Sequence, residues 1–211
     1  MPPACCRYLE QNRQQPDLPV TEARFVVLDT EATGLNTAKD RILSIGAVAV
    51  RHPRIFLQDS FELLVAQEAT GSSDTIKVHG ILQADMAGAV SEAEALEQLL
   101  DYLGNSVVVA HNLWFDKSIL DRALLRQFGF PLLNPSLDTI NLARRLQTAG
   151  RQPEEIPGKE FTLEKLCQQY GIRMHYRHSA AGDALATAEL LQILLAKAGN
   201  RGITRLKQLA G

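Results

Sequence analysis

Two acids, Asp29 and Glu31, end an apolar run over residues 25–31 (FVVLDTE). Side chains two residues apart in a β-strand point to the same face of the sheet. If the run is a central strand, two carboxylates project together from a buried element, where like charges repel and desolvation is costly. Bound cations relieve that cost, and carboxylate oxygens suit hard ions such as Mg²⁺ or Mn²⁺. The alternative is that Asp29 starts a turn and Glu31 caps the next segment; these two residues alone leave both interpretations open.

Two further segments place an acid near the start of a helix. Residues 107–116 (VVVAHNLWFD) form an apolar strand that runs into a helix with Asp116 in its first turn, and residues 178–184 (HSAAGDA) open a long apolar-periodic helix with Asp183. The helix dipole tolerates negative charge at these positions. Four acids from three segments would hold two divalent ions, which clamp an in-line phosphoryl displacement when they lie ~3.5–4 Å apart. His178 is placed to accept a proton from the attacking water.

These segments resemble the three exonuclease motifs of the DEDD superfamily. The matching stretches are residues 29–35 (DTEATGL), residues 111–116 (HNLWFD), and His178 and Asp183 with four residues between them. The resemblance is to the histidine branch, DEDDh, also called DnaQ-like after the proofreading epsilon subunit of bacterial DNA polymerase III. It covers roughly residues 24 to 198. The tyrosine branch would place a tyrosine where this chain has Ser179.

The resemblance implies a metal-dependent 3′→5′ exonuclease that removes nucleoside 5′-monophosphates from the 3′ end of nucleic acid. DNA is the expected substrate, as a single-stranded or frayed end, and two divalent ions, Mg²⁺ or Mn²⁺, are the expected cofactors. Asp29, Glu31 and Asp183 would hold the ion on the nucleophile side. Asp29 and Asp116 would hold the second ion, and His178 would be the general base.

The resemblance also implies five substrate-binding residues: Thr33, Leu35, His79, Asn112 and Phe115. Leu35 and Phe115 would wedge around the last base or sugar, with Asn112 near the phosphate. His79, in the sequence VHGI, would lie against the terminal nucleotide; the alternative is a loop histidine that bonds backbone.

Two features near these motifs could belong either to the substrate site or to the hydrophobic core. Aromatic residues at helical spacing are most often core, so Trp114 and Phe115 fit either role. Ala32 departs from the family, which often has threonine or another nucleotide-contacting residue there, and one substrate contact is therefore in doubt.

The remaining histidines are expected to lie outside the catalytic set. His52 precedes Pro53 in a turn and is expected to be solvated, whereas His111 ends a buried strand and is expected to be structural. His175 lies only three residues before His178, and the family spacing alone selects His178 over it.

Length and composition fit one enzyme domain. The chain has 211 residues, of which 45% are hydrophobic and 22% charged, with a net charge of −2. This predicts a polar N-terminal extension over residues 1–20 and a single exonuclease domain over residues 21–211. Without a broad basic surface, the substrate is expected to be gripped locally, through its end.

The cysteines and the N-terminus indicate a cytoplasmic protein. Cys5, Cys6 and Cys167 form neither a disulfide framework nor a zinc signature and are expected to be reduced thiols. The N-terminus lacks a signal pattern and no apolar stretch is long enough to span a bilayer.

Apolar periodicity and turn residues predict strands at about 24–30, 41–50, 55–65 and 106–110, and helices at about 8–14, 91–103, 113–128, 138–148, 162–171 and 180–198. Ser91 and Glu94 form a predicted capping box. Strands followed by a helical C-terminal half indicate an α/β class with a mixed central sheet flanked by helices. By resemblance this is the ribonuclease H-like fold.

Two other functions remain open. An exoribonuclease of the oligoribonuclease or RNase T type would use the same residues. A non-catalytic module associated with a DNA polymerase is the alternative of a different class, although such a module need not retain all five catalytic residues. Association with a DNA polymerase and the oligomeric state are undecided by the sequence, and no membrane partner is expected.

Overall fold

A five-stranded sheet with helices on both faces forms the centre of the molecule. The computed structural model describes residues 1–67, 81, 88–147, 158–174 and 178–210. The strands are β1 (Phe25–Ala32), β2 (Ile42–Arg51), β3 (Arg54–Leu64), β4 (Val107–Ala110) and β5 (Ser136–Asp138). Their order across the sheet is β3-β2-β1-β4-β5, and β1 is antiparallel to β2 but parallel to β4. The predicted mixed α/β sheet is therefore confirmed.

Helices account for most of the remaining described residues. They are α1 (Pro3–Gln11), α2 (Glu92–Leu103), α3 (Leu113–Phe128), α4 (Thr139–Gln147), α5 (Leu163–Tyr170), α6 (Ala180–Gly199) and α7 (Leu206–Ala210), with a 3₁₀ turn at Gly158–Phe161. The long predicted helices agree with α2, α3, α4, α5 and α6 to within one or two residues. Within the described ranges, no helix combines the length and the apolarity needed to cross a bilayer.

The differences from prediction concern short elements. The N-terminal helix begins at Pro3 and ends at Gln11, not at 8 and 14, because proline suits a first helical turn, where its missing N–H costs nothing. Strand β5 and helix α7 were not predicted; three and five residues are too few to show a period. The predicted capping box is half formed: Ser91 Oγ accepts from Glu94 N at 3.2 Å, while the Glu94 carboxylate accepts from Gln98.

Strand β1 is buried on both of its faces. Phe25 and Val27 pack against α4, α5 and α6 on what we call the α6 face, whereas Val26 and Leu28 pack against α1, α2 and α3 on the α3 face. Each of the four is at most 1% exposed. Near-continuous apolar sequence is typical of a strand covered on both sides. Every residue of β1 is thereby assigned to one layer or the other.

The first residues of the chain pack on the same core. Tyr8 of α1 is buried in the α3 face; its hydroxyl donates to Asn134 Oδ1 at 2.5 Å and accepts from Leu133 N at 2.7 Å. The predicted boundary at residue 20 stays a prediction, and α1 lies against the domain that follows it.

A glycine in β2 lets α6 approach the sheet closely. Gly46 pairs with Asp29 across the β1–β2 ladder. A Cβ built on Gly46 would lie 2.6 Å from Ala180 O and would also clash with Ala181 N, both backbone atoms of the first turn of α6. The missing side chain at Gly46 therefore sets how near the start of α6 comes to the end of β1.

We expect Gly46→Ala to lower the free energy of unfolding by about 1–3 kcal/mol, because the methyl group must push the helix backbone away. Gly199→Ala is a matched control at the other end of α6, where a Cβ meets nothing within 4 Å. That control should leave stability unchanged or raise it by up to ~1 kcal/mol. The measurement is denaturant unfolding of both variants without divalent metal. Equal stability of Gly46→Ala and the parent would contradict this account.

Candidate active site

Three carboxylates meet where β1 ends and α6 begins. Asp29, Glu31 and Asp183 each offer one oxygen, and these oxygens lie within 4.8 Å of one another. Asp29 and Glu31 continue the side of β1 that carries Phe25 and Val27, so they face the helix layer to which α6 belongs. The sequence prediction that Asp29 and Glu31 project to one face is confirmed.

The start of α6 is built to hold Asp183 in place. Ser179 is the N-cap, and its hydroxyl accepts from Gly182 N at 3.1 Å. Asp183 N donates to Ser179 O at 2.9 Å, which places the Asp183 carboxylate in the first helical turn. The positive end of the helix dipole favours an acid there. The backbone of this turn lies against Gly46, which pairs with Asp29 in the sheet. The turn therefore brings Asp183 close to Asp29.

The fourth predicted acid approaches from the other face of the sheet. Thr30 continues the side of β1 that carries Val26 and Leu28, and Asp116 lies on α3, in the layer covering that side. Asp116 is 3% exposed, and its Oδ1 accepts from Thr30 N at 2.9 Å and from Thr30 Oγ1 at 2.8 Å. The structure thus groups three acids around one point, and the fourth is near enough for its charge to raise the pKa of Asp29 more than those of Glu31 and Asp183 do.

Burial, together with the charges of neighbouring acids, raises the pKa of three of these four acids. Burial, followed by the charges of Asp116, Glu31 and Asp183, raises the pKa of Asp29 well above its ordinary value. Burial and the charge of Asp183 raise the pKa of Glu31 to about 7. Burial raises the pKa of Asp116 to about 7 even though hydrogen bonds from Thr30 oppose the shift. The raised pKa values mean that the charged forms of these carboxylates are unfavourable in the metal-free site. A bound cation would stabilise those charged forms.

The predicted general base lies at the entrance to α6. His178 is exposed, directly precedes the N-cap Ser179, and has a φ of 61°. That left-handed conformation is uncommon for residues other than glycine and is found repeatedly at functional sites. His178 is therefore five residues before Asp183 and accessible to a molecule entering from solvent.

The other histidines have separate positions. His111 is largely buried and its Nδ1 lies 2.9 Å from Thr139 Oγ1, and burial lowers its pKa; this agrees with the structural role predicted for it. His52 was expected to be solvated, but its Nδ1 lies 2.6 Å from Gln192 Oε1 of α6, so that expectation is wrong. His79 and His175 lie outside the described residues.

Thr33 and Leu35, both predicted to bind substrate, belong to one tightly bonded loop that follows β1. The Thr33 hydroxyl donates to Asp40 Oδ1 at 2.9 Å and accepts from Arg41 N at 3.1 Å. Asp40 Oδ2 also accepts from Asn36 N at 2.7 Å. Leu35, at the tip, is 88% exposed. The Thr33 hydroxyl therefore shapes the loop, and Leu35 is a large apolar side chain that the loop exposes to solvent.

Asn112 and Phe115 lie at the start of α3. Asn112 is exposed with a φ of 65°, makes no side-chain cap bond, and its carbonyl accepts from Phe115 N at 3.0 Å. Phe115 is half-buried against the α3-face core, so it has a structural role whatever it contacts in substrate. Ala32, where the family often has threonine, is buried.

Three residues that position the acids were missed in the sequence. Thr30 donates two hydrogen bonds to Asp116. Gly46 lacks the Cβ that would clash with the start of α6. Asp138 joins two helix starts: its Oδ2 accepts from Leu113 N at 3.1 Å and its Oδ1 accepts from Ile140 N at 2.8 Å. An aspartate before a helix is an N-cap signal, so Asp138 was detectable, whereas Thr30 and Gly46 show their roles only through tertiary contacts.

Comparison with known proteins places these elements in a family. The exonuclease family model RNase_T matches residues 26–191, well over half of the chain. The DNA polymerase III PolC-type of Caldanaerobacter subterraneus subsp. tengcongensis is 32% identical over 188 residues, which are 89% of this chain and 13% of that protein. The PolC-type polymerase of Clostridium perfringens is 34% identical over 173 residues, 82% of this chain and 11% of that protein. The chain thus spans 11–13% of the length of these curated relatives.

Solved structures show the same fold. E. coli Exonuclease I in complex with a dT13 oligonucleotide has a TM-score of 0.72 at 18% identity, covering 85% of this chain and 42% of that chain. Exonuclease I from Methylocaldum szegediense has a TM-score of 0.69 at 19% identity, covering 82% and 40%. These matches confirm the ribonuclease H-like arrangement. The family match runs from β1 into α6 and so includes every element that carries the acids: the chain belongs to the exonuclease family.

Proposed function

We propose that the chain is a metal-dependent 3′→5′ exonuclease of the DEDDh type that releases nucleoside 5′-monophosphates from DNA. The observation that carries the proposal is the convergence of Asp29, Glu31 and Asp183 within 4.8 Å at the end of a buried strand. His178, at the start of α6, and Asp116, bonded to Thr30, complete the set of five residues that the DEDDh resemblance requires.

The donor set fits hard divalent cations. All of the donors are carboxylate oxygens, which suit Mg²⁺ or Mn²⁺. Burial and the neighbouring charges raise the pKa of Asp29 and Glu31, and a cation would offset both effects. Asp29, Glu31 and Asp183 would hold one ion. Asp29 would share the second with Asp116, through the carboxylate oxygen that does not bind Thr30. When bound, the ions activate water and stabilise charge on the scissile phosphate.

Residues of this chain would bind the 3′ end of the DNA strand and accept one proton from the attacking water. The His178 imidazole accepts the proton of the attacking water, which requires a neutral ring that reaches solvent. Leu35, exposed at its loop tip, and Phe115 hold the last base or sugar, and Asn112 lies near the phosphate. Thr33 keeps the loop in shape through Asp40 and Arg41, and His79 would contact the terminal nucleotide.

Two similarities favour DNA as the substrate. The curated relatives named above are DNA polymerases, and the structural relative from E. coli holds a dT13 oligonucleotide. In these relatives the matched region is a small part of a DNA polymerase chain. We therefore include association with a DNA polymerase in the proposal. Digestion of matched, end-labelled single-stranded DNA, duplex DNA and RNA tests the substrate class. Preferential digestion of RNA would favour the exoribonuclease alternative, and digestion of none would favour a non-catalytic module.

The first prediction for this function is metal dependence. Chelation should abolish hydrolysis, and Mn²⁺ or Mg²⁺ should restore it. Asp29→Asn should lower kcat about 10²-fold or more, yet leave metal-free thermal stability unchanged or raised, because it removes one of the repelling charges. Asp101→Asn, an exposed acid on α2, is the control and should retain activity. Full activity after exhaustive chelation, or a large metal-free destabilisation by Asp29→Asn, would contradict the prediction.

The second prediction concerns stability against pH. Glu31 has a pKa raised from 4.5 to about 7 in the folded chain, so the folded state holds a proton that the unfolded state has already lost. That contribution is complete below ~4.5 and disappears as pH rises through ~7, so the metal-free melting temperature should fall over this range. Saturating Mn²⁺ should oppose the fall, because the ion binds deprotonated carboxylates. Thermal melts of the parent and Glu31→Gln in chelator test this.

In those melts, Glu31→Gln should show a shallower fall than the parent, because glutamine does not titrate. Glu62→Gln on the exposed strand β3 is the matched control and should keep the parental slope. A metal-free melting temperature that rises between about pH 5 and 7, or an unchanged slope in Glu31→Gln, would refute the electrostatic account of the site.

The third prediction identifies the general base. His178→Ala should lower kcat by about 10²–10⁴-fold while leaving Mn²⁺ affinity largely intact, because His178 is not proposed as a ligand. His175→Ala, three residues away in the sequence, should cost little. The measurement is kcat at saturating Mn²⁺ together with Mn²⁺ binding by calorimetry. A crippled His175→Ala variant with an active His178→Ala variant would reverse the assignment.

A further inference from the structure

Two large apolar side chains lie exposed within a few residues of the acids. Among the described residues, Leu35 is 88% exposed, four residues after Glu31, and Trp114 is 67% exposed, two residues before Asp116. The resemblance gives Leu35 a role but gives Trp114 none. The sequence left Trp114 open between core and site, and its exposure excludes the core.

The turn that carries Trp114 is rigid and anchored to the active site. Leu113 N donates to Asp138 Oδ2 at 3.1 Å, and Asp116 Oδ1 accepts from Thr30 N at 2.9 Å. The first turn of α3 is therefore fixed at both sides of Trp114, one side being the strand end that carries Asp29 and Glu31. An aromatic side chain on a fixed helical turn is a preorganised surface for a flat partner.

The Leu35 loop contacts α3 beyond the turn that carries Trp114. Arg122 lies eight residues, or about 12 Å along the helix axis, from Trp114. The Arg122 guanidinium donates to the carbonyl of Thr37, in the loop that presents Leu35. The Leu35 loop follows β1, and Asp116 of α3 accepts from Thr30 of β1, so the loop and α3 both meet the strand end that carries the acids.

We propose that Trp114 is a stacking platform for a nucleobase upstream of the 3′-terminal nucleotide. The inference rests on the proposed function, because the acids fix where the 3′ end must lie and Leu35 and Phe115 are assigned to the terminal nucleotide. The preceding nucleotides of a single strand then leave over the rim where Trp114 is exposed. Indole stacks on any base, so this subsite adds affinity without sequence preference.

The expected effect depends on substrate length. Loss of one stacked base weakens binding by about 5- to 150-fold, so Trp114→Ala should raise KM for a single-stranded oligonucleotide by that factor. Its kcat/KM for the p-nitrophenyl ester of thymidine 5′-monophosphate, which has no upstream base, should match the parent. Trp114→Phe should restore most oligonucleotide affinity, because phenylalanine retains a stacking ring. Leu125→Ala, half exposed on α3 about 16 Å further along the helix axis, is the control and should match the parent on both substrates.

A second readout follows from composition. Trp114 is the only tryptophan in the chain, so all indole fluorescence reports this side chain. In Asp183→Asn, which should bind without cleaving, adding oligo(dT) should quench that fluorescence in parallel with the anisotropy of a labelled oligonucleotide. Thymidine 5′-monophosphate alone should quench it far less, because it occupies only the terminal position.

The outcomes separate this inference from the proposed function. A parent protein that hydrolyses neither substrate overturns the function and the platform together. A parent that hydrolyses both, with Trp114→Ala impaired equally on the ester and the oligonucleotide or on neither, overturns the platform alone. Oligonucleotide binding by anisotropy without any change in indole emission also overturns it, and would mark the exposed indole as a protein-contact residue.

Discussion

The burial of β1 on both faces is the constraint on which the site depends. Because side chains alternate along a strand, covering both faces assigns each residue of β1 to one helix layer. Asp29 and Glu31 fall on the layer of α6, and Thr30 falls on the layer of α3. The last apolar residues of the strand therefore determine, through register alone, which helix each polar residue can meet. Asp183 joins the first two acids from its own layer, and Asp116 reaches Thr30 from the opposite one.

Bringing the acids together works against stability, and local features offset this cost. Gly46 lacks a Cβ, which would otherwise clash with the backbone at the start of α6. The N-cap Ser179 orients the first turn of α6, whose dipole favours the Asp183 carboxylate. Two hydrogen bonds from Thr30 favour the charged form of Asp116. Burial and the repulsion that remains raise the pKa of Asp29 and of Glu31. A bound cation would favour the charged form of both carboxylates.

The acids of the site and its exposed side chains lie on different parts of the fold. The acids lie on a buried strand and on two helix starts, and hydrogen bonds at Thr30, Asp138 and Ser179 hold those helix starts in place. The side chains that would meet a substrate are exposed at the rim: Leu35 at a bonded loop tip, Trp114 on the first turn of α3, and His178 before α6. This division suits a reaction that needs fixed charges at the scissile phosphate and tolerance towards base identity. It also agrees with the small net charge of −2, since few phosphates need to be contacted.

Local pattern in the sequence was enough to predict the strand and helix periods, the caps at Ser91 and Thr162, and the projection of Asp29 and Glu31 to one face of the sheet. The tertiary fold set which layer each helix joins, and it brought Asp116 to Thr30 from the layer opposite to that of Asp183. It also decided between Trp114 and Phe115, where one helical step of ~100° turns a side chain from solvent towards the core. Such choices depend on long-range packing, and residues distant in sequence leave no periodic signal of the contacts they make.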